Sequence, residues 1–98
     1  MKIEKQVDAA KLTIALEGRL DTMTAPELDK ELQGSLSGIA QLVFDLSKLD
    51  YVSSAGLRVL LSAQKVMSKQ GSMVVKNVNE QIMEVFEVTG FTDILTIE

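Results

Sequence analysis

The stretch from residue 42 to residue 61 constrains the fold more than any other part of the sequence. Residues 42–44 form an unbroken apolar run, which predicts a strand over residues 41–46 that is covered on both faces. From Leu57 onward the apolar residues change to helical spacing. Because few residues separate the two patterns, we expect a buried strand that leads almost directly into a helix. Such a βα unit is typical of a sheet with parallel strands.

Two adjacent serines, Ser53 and Ser54, stand at the junction between this strand and this helix. The backbone N–H groups of a first helical turn have no partner within the helix. A serine at that position can cap the helix, a contribution of about 1 kcal/mol. It can also offer a hydroxyl at a place where a phosphate is held or attached. The residues alone leave both alternatives open.

The segments before this unit predict a hairpin and a first helix. Residues 3–7 and the alternating stretch 12–16 read as two strands joined by a turn, and Gly18 is expected to end the second strand. Thr24 and Glu27 have the spacing of a capping box, which marks the start of a helix. Three leucines recur every four residues along this helix and form an apolar stripe: Leu28, Leu32 and Leu36. Gly38 is the expected stop of the helix.

The segments after the central unit continue the alternation of strands and helices. The second helix is predicted over residues 54–70, with Gly71 as its stop, and residues 73–75 read as another short buried strand. Asn79 is a good cap for a third helix that runs to Val88. Residues 94–97 are predicted to be either an edge strand or a brief helical turn.

The order β-β-α-β-α-β-α predicts one α/β domain over residues 1–98. We expect a mixed, mostly parallel sheet of four to five strands, opened by a hairpin and packed with helices. In the second helix, one arc of apolar side chains should face the sheet: Val59, Leu60, Ala63, Val66 and Met67. Leu57 and Leu61 lie beside that arc, where they can either pack against a neighbouring helix or remain exposed and bind a partner.

Composition excludes several classes of function. The absence of histidine excludes serine–histidine catalysis and removes the commonest zinc ligands, and the absence of cysteine excludes thiolate chemistry. A net charge of −4 argues against a nucleic-acid partner. There is no phosphate-binding loop motif, no apolar signal core and no membrane-spanning run. We therefore expect a cytoplasmic domain, monomeric by default, and no residue pattern predicts catalytic residues, a metal or a cofactor, although carboxylates could still bind magnesium or act as a pair.

Four segments of the chain resemble STAS domains, and the closest branch is that of the bacterial anti-sigma factor antagonists. These segments are residues 17–22, 43–49, 51–57 and 79–91. Their order and spacing along nearly the whole chain carry the resemblance. It implies a STAS fold for the single domain.

The resemblance also implies a regulatory phosphorylation site. Carried over by position, the modified serine is Ser54, with Ser53 as the alternative, because many members have an aspartate where this chain has Ser53. Asp21 takes the place of the family's loop aspartate. The surface that would bind a partner is carried by eight residues: Asp21, Thr22, Ser53, Ala55, Gly56, Leu57, Arg58 and Leu61.

The mechanism implied by the family is partner switching. The unphosphorylated antagonist binds an anti-sigma factor that is also an ATP-dependent serine kinase, and this frees the sigma factor. Phosphorylation by that kinase abolishes binding, and a metal-dependent PPM-type serine phosphatase resets the cycle. The alternative is a stand-alone STAS subunit of a larger assembly, such as a lipid-transport complex, in which the serine caps the helix or contributes to a constant interface.

Overall fold

The computed structural model describes all 98 residues. The elements in chain order are strand β1, Lys2–Asp8; strand β2, Lys11–Leu20; helix α1, Ala25–Ser35; strand β3, Gln41–Val52; helix α2, Ser54–Gln70; strand β4, Ser72–Lys76; helix α3, Glu80–Val88; and a short 3-10 turn, Phe91–Asp93. This order confirms the predicted alternation of strands and helices.

The four strands form one sheet in the order β1-β2-β3-β4. The hairpin pair β1–β2 is antiparallel, whereas β2–β3 and β3–β4 are parallel. A fifth segment adds one parallel bridge, between Val75 of β4 and Ile97. The predicted edge strand at the end of the chain is therefore reduced to a single bridge, and the helical turn that was its alternative lies just before it. The mixed, mostly parallel sheet is confirmed.

The helices pack on one face of this sheet. Both parallel crossovers step in the same direction across the sheet, so right-handed connections place α1 and α2 on the same side. Alternate residues of the central strands point towards the helices and form the core, among them Leu12, Ile14, Leu16, Leu42 and Phe44. Residues of α3 join the same core through Ile82 and Phe86. Burial of this apolar surface is the main source of stability for a domain of this size.

The two central strands are longer than the sequence pattern predicted. β2 does not end at Gly18, whose φ of +104° allows the chain to continue to Leu20. β3 does not end near residue 46 but continues to Val52. The β2–β3 ladder continues over this extension with two register shifts, one on each side of the pair formed by residues 17 and 18. As a result, only Ser53 separates β3 from α2.

The arc of α2 that was predicted to face the sheet is wrong at Val66. Val66 was expected to face the sheet but is 42% exposed, because it lies at the groove between α1 and α2 beside Leu32 and Leu36. Leu57 is instead 6% exposed and belongs to the core. The buried side of α2 is therefore rotated towards Leu57 relative to the predicted arc.

Candidate functional site

The predicted site residues meet where β2 and β3 end and where α1 and α2 begin. In parallel sheets this edge, beyond the carboxyl ends of the strands, is the usual place for binding sites. The backbone N–H of Ser53 donates a hydrogen bond of 2.9 Å to the carbonyl oxygen of Leu20. Since Asp21 directly follows Leu20, this bond joins the loop that carries Asp21 to the start of α2. We call this region, built from residues 19–24 and 51–58, the switch edge.

The two serines have different roles in the folded chain. Ser53 is the N-cap of α2, and its hydroxyl oxygen accepts a hydrogen bond of 3.3 Å from the backbone N–H of Gly56. Ser54 is the first residue of the helix, is exposed, and its hydroxyl makes no hydrogen bond within the protein. Capping is thus a property of Ser53, which leaves the Ser54 hydroxyl accessible to solvent.

The Asp21 carboxylate is held by hydrogen bonds from the backbone of the turn that follows it. One carboxylate oxygen accepts hydrogen bonds from the backbone N–H of Met23, at 3.0 Å, and of Thr24, at 3.1 Å. The hydroxyl of Thr24 donates to the carbonyl oxygen of Arg19 at 2.7 Å and accepts from the backbone N–H of Asp21 at 2.9 Å. The capping box predicted for Thr24 is therefore wrong, because its side chain faces the preceding loop and makes no cap to α1.

Hydrogen bonding to Asp21 favours its charged form. The backbone N–H of Thr24 is the main cause that lowers the pKa of Asp21 below its ordinary value of 3.8, with smaller contributions from Met23 and the Arg19 guanidinium. The Nε of Arg19 lies 3.6 Å from the second carboxylate oxygen. The switch edge thus contains a fixed anion, ionised at neutral pH, adjacent to the first turn of α2.

This lowered pKa predicts how stability changes with pH. A carboxyl group whose pKa is depressed in the folded state stabilises the fold above its unfolded pKa, and this contribution disappears as pH falls through the folded value. We expect wild type to have a larger free energy of unfolding than Asp21→Asn at pH 6. This gap in the free energy of unfolding should narrow below about pH 4. Urea unfolding of both proteins between pH 6 and pH 2.5 measures the gap. A gap that stays constant over this range would contradict the assignment.

One pair of side chains at the switch edge is not predicted by any sequence pattern. Arg19 and Tyr51 are partners in the β2–β3 register, and the Arg19 guanidinium lies 4.2 Å from the centre of the Tyr51 ring. This distance is typical of a cation–π contact. Met23, in the adjacent loop, is 83% exposed. The signal that could have identified the pair is the strand register, which requires β2 to extend past Gly18 and β3 to extend past Leu46.

The residues predicted to bind a partner divide into exposed and buried groups. Thr22 and Arg58 are exposed, and four others are half-buried: Asp21, Ser53, Ala55 and Leu61. Gly56 and Leu57 are buried in the free chain, because the first turn of α2 lies against the end of β2 and Leu57 packs into the core. Their contribution to a partner surface stays a prediction.

Asp45 lies away from the end of β3, since the strand continues beyond it. Its carboxylate accepts hydrogen bonds from the side-chain amide of Asn77 and from the backbone N–H of Ser47, both at 3.0 Å, and these two donors lower its pKa, the amide most. Asn79 caps α3 as predicted, accepting from the N–H of Ile82 at 2.8 Å. Its amide also donates to the carbonyl oxygen of Leu49, which joins α3 to β3.

Two further properties describe the chemistry open to this surface. No group of three or more histidine, cysteine or carboxylate side chains is arranged to hold a metal ion. None of the helices has both the length and the apolar character required to cross a membrane. The switch edge offers an exposed hydroxyl, a carboxylate held by hydrogen bonds and an exposed guanidinium.

Comparison with known proteins gives consistent matches over nearly the whole chain. A family model described as "Mlab, STAS domain" matches residues 3–96. The Bordetella bronchiseptica protein BtrV, named as an anti-sigma factor antagonist, is 36% identical, with 99% of this chain and 85% of that protein aligned.

Solved structures share the same fold. A crystal structure of an anti-sigma factor antagonist from Mycobacterium paratuberculosis superposes with a TM-score of 0.89 at 20% identity, covering 98% of this chain and 83% of that one. The Bacillus cell fate determinant SpoIIAA, solved in its phosphorylated form, gives a TM-score of 0.77 at 15% identity, covering 99% and 91%. Both likenesses concern the fold.

Proposed function

Because the chain belongs to the STAS domain family and is similar along its length to anti-sigma factor antagonists, we propose that it is an anti-sigma factor antagonist controlled by phosphorylation of Ser54. In its unphosphorylated form it binds an anti-sigma factor that is also a serine kinase. That kinase then modifies Ser54, binding is lost, and a PPM-type serine phosphatase restores the hydroxyl. The protein is a regulatory binding module and a kinase substrate, not an enzyme.

The observation that carries this proposal is that the two serine hydroxyls have different hydrogen-bonding states. The hydroxyl of Ser53 is engaged in capping, whereas that of Ser54 is exposed and makes no hydrogen bond. A kinase can therefore modify Ser54 without breaking the cap that begins α2. Modification of Ser53 would remove a contribution of about 1 kcal/mol to the helix.

The geometry of the switch edge supports a local switch, one that changes the surface without unfolding the domain. A phosphate adds about −1.5 to −2 charges and three strong acceptors. At the start of a helix this charge is favourable, since the unpaired N–H groups and the helix dipole attract anions. The phosphorylated SpoIIAA protein, which shares this fold, is consistent with a domain that tolerates the modification.

The same phosphate would be unfavourable to a bound partner. The surface that we assign to the partner surrounds Ser54 and includes the exposed or half-buried members of the predicted set: Asp21, Thr22, Ser53, Ala55, Arg58 and Leu61. A partner that packs against a neutral hydroxyl would have to desolvate two negative charges in the modified form. The fixed carboxylate of Asp21 adds a like charge at the same edge. Loss of binding follows from repulsion and desolvation together.

Phosphorylation assays with paired variants test the assignment of Ser54. With the anti-sigma kinase of the same genome and labelled ATP, we expect labelled phosphate to be incorporated into wild type and Ser53→Ala. We expect no labelled phosphate in Ser54→Ala. Ser53→Ala is the matched control, because it loses one neighbouring hydroxyl and about 1 kcal/mol of capping, yet keeps the substrate serine. If Ser54→Ala incorporates labelled phosphate and Ser53→Ala does not, the phosphorylation site is Ser53.

A second candidate function, from a different class, is a constant subunit of a larger assembly such as a lipid-transport complex. The observation in its favour is the exposed apolar surface at the switch edge, where Met23 is 83% and Tyr51 40% exposed. Exposed apolar groups of this kind suit an interface that is always covered. Genomic neighbours separate the two: a kinase-type anti-sigma gene or a phosphatase gene favours the switch, and transporter genes favour the subunit.

A further inference from the structure

Arg58 is the free cation of the switch edge. Its side chain is exposed and forms no ion pair, and α2 contains no acidic residue that could attract it. The other guanidinium at this edge, that of Arg19, is already engaged by the Asp21 carboxylate and the Tyr51 ring. In an acidic protein of net charge −4, a cation without a partner at this position is available to an anion.

The position of Arg58 relative to Ser54 is suited to such an anion. The two residues are four apart in the same helix, so their Cβ atoms lie roughly 5–6 Å from each other on one face. An anion that precedes a cation by four residues is the favourable orientation in a helix. A guanidinium can also donate two parallel hydrogen bonds to phosphate oxygens, which an ammonium cannot do.

We propose that Arg58 binds the phosphate of phosphorylated Ser54, so that phosphorylation also withdraws Arg58 from the partner surface. This inference rests on the proposed phosphorylation of Ser54 and extends it. In the unphosphorylated chain the guanidinium is free to donate to a partner. After phosphorylation it lies along α2 and donates within its own helix. The surface then changes in two ways at once, by gain of an anion and by loss of a hydrogen-bond donor.

The phosphate itself provides a direct test, because a cation beside it favours the dianion and lowers its second pKa. Phosphoserine is installed at position 54 during synthesis, so that no kinase or partner is needed, and the pKa is read by phosphorus NMR. We expect Arg58→Gln to raise this pKa by roughly 0.3 units, the equivalent of a helical ion pair. Arg58→Lys should restore part of the shift.

The matched control is Lys65→Gln. Lys65 is exposed and lies on nearly the same side of α2, but about 16 Å along the axis from Ser54, so its charge is too far away to form an ion pair. Its removal should leave the phosphate pKa unchanged. The other charged groups of the switch edge are Arg19 and Asp21, and both are unchanged in Arg58→Gln and Lys65→Gln.

The inference is overturned if the phosphate pKa is the same in wild type and Arg58→Gln, or if Lys65→Gln shifts it equally. It is also overturned if Arg19→Gln, and not Arg58→Gln, raises the pKa, since Arg19 would then be the binding cation. None of these outcomes depends on a kinase. Failure here therefore leaves the proposed function standing, and failure of the kinase assays leaves this measurement valid.

Discussion

Gly71→Ala is expected to lower the free energy of unfolding by about 3 kcal/mol. A Cβ atom at this position would lie 1.9 Å from the carbonyl oxygen of Ala40, a backbone atom that cannot move aside alone. That oxygen accepts a hydrogen bond from Ser72, and the N–H of Ala40 donates to Ala10. Either β4 must separate from the start of β3, or this hydrogen-bonded junction must break.

Thermal unfolding followed by circular dichroism measures this effect. For a domain of this length, 3 kcal/mol corresponds to a fall in Tm of roughly 12–24 °C. Gly34→Ala is the matched control, because a Cβ there meets nothing within 4 Å and the residue lies inside α1. This control should gain up to about 1 kcal/mol from helix propensity. Equal Tm values for both variants would show that the contact between Gly71 and Ala40 is not restrictive.

Gly56→Ala is expected to displace the first turn of α2 while the domain remains folded. Its Cβ would lie 2.7 Å from the Cγ of Leu20 and 3.0 Å from the carbonyl oxygen of the same residue. Leu20 is fully buried, and its carbonyl oxygen holds the N–H of Ser53. We expect a loss of about 1–2 kcal/mol, less than at Gly71 because helix propensity offsets part of the overlap.

The larger consequence of Gly56→Ala concerns the position of Ser54. Any relief of the overlap moves α2 away from the end of β2, and with it the hydroxyl relative to Asp21. Amide NMR spectra should therefore show shift changes concentrated in residues 19–24 and 51–58, with a weakened affinity for the kinase. Spectra identical to wild type would contradict this role. Gly34→Ala again controls for the added methyl group.

Most elements could be predicted from the sequence because their signals are local. The alternating strand at residues 12–16, the apolar run at residues 42–44 and the cap at Asn79 each depend on side chains that are neighbours in the chain. The parallel topology followed from the order of these elements. The identity of α2 as the helix at the site followed from the junction at Ser53 and Ser54.

The extension of β2 and β3 could not be predicted, because it depends on pairing between distant segments. Glycine is typical of a strand end, yet β2 continues through Gly18, which has a positive φ, and stays paired with β3. The contact of Arg19 with Tyr51 exists only in that register. Likewise, the exposure of Val66 depends on how α1 lies against α2, and the burial of Leu57 depends on how the first turn of α2 lies against the core.

The separation of roles between Ser53 and Ser54 also needed the structure. Both residues are suitable caps by type, and only the backbone decides which one precedes the helix. The extended φ and ψ of Ser53, −97° and 176°, identify it as the cap. Thr24 shows the opposite case, because its spacing to Glu27 suggested a cap and its hydroxyl instead contacts Arg19.

Under the proposed function, a negative charge at Ser54 abolishes binding to a kinase-type anti-sigma factor without unfolding the domain. The most direct test is a pull-down from the native organism with wild type, Ser54→Asp and Ser53→Asp as baits, read by quantitative mass spectrometry. Ser53→Asp is the matched control, since aspartate caps as well as serine and adds the same charge one residue earlier. Thermal unfolding of all three baits establishes that they are folded.

We predict that wild type and Ser53→Asp recover the kinase, and that Ser54→Asp recovers it at a level lower by roughly tenfold or more, equivalent to about 1.4 kcal/mol of binding free energy. Equal recovery of one stable set of proteins by all three folded baits would contradict this account. It would identify the chain as a constant subunit of an assembly.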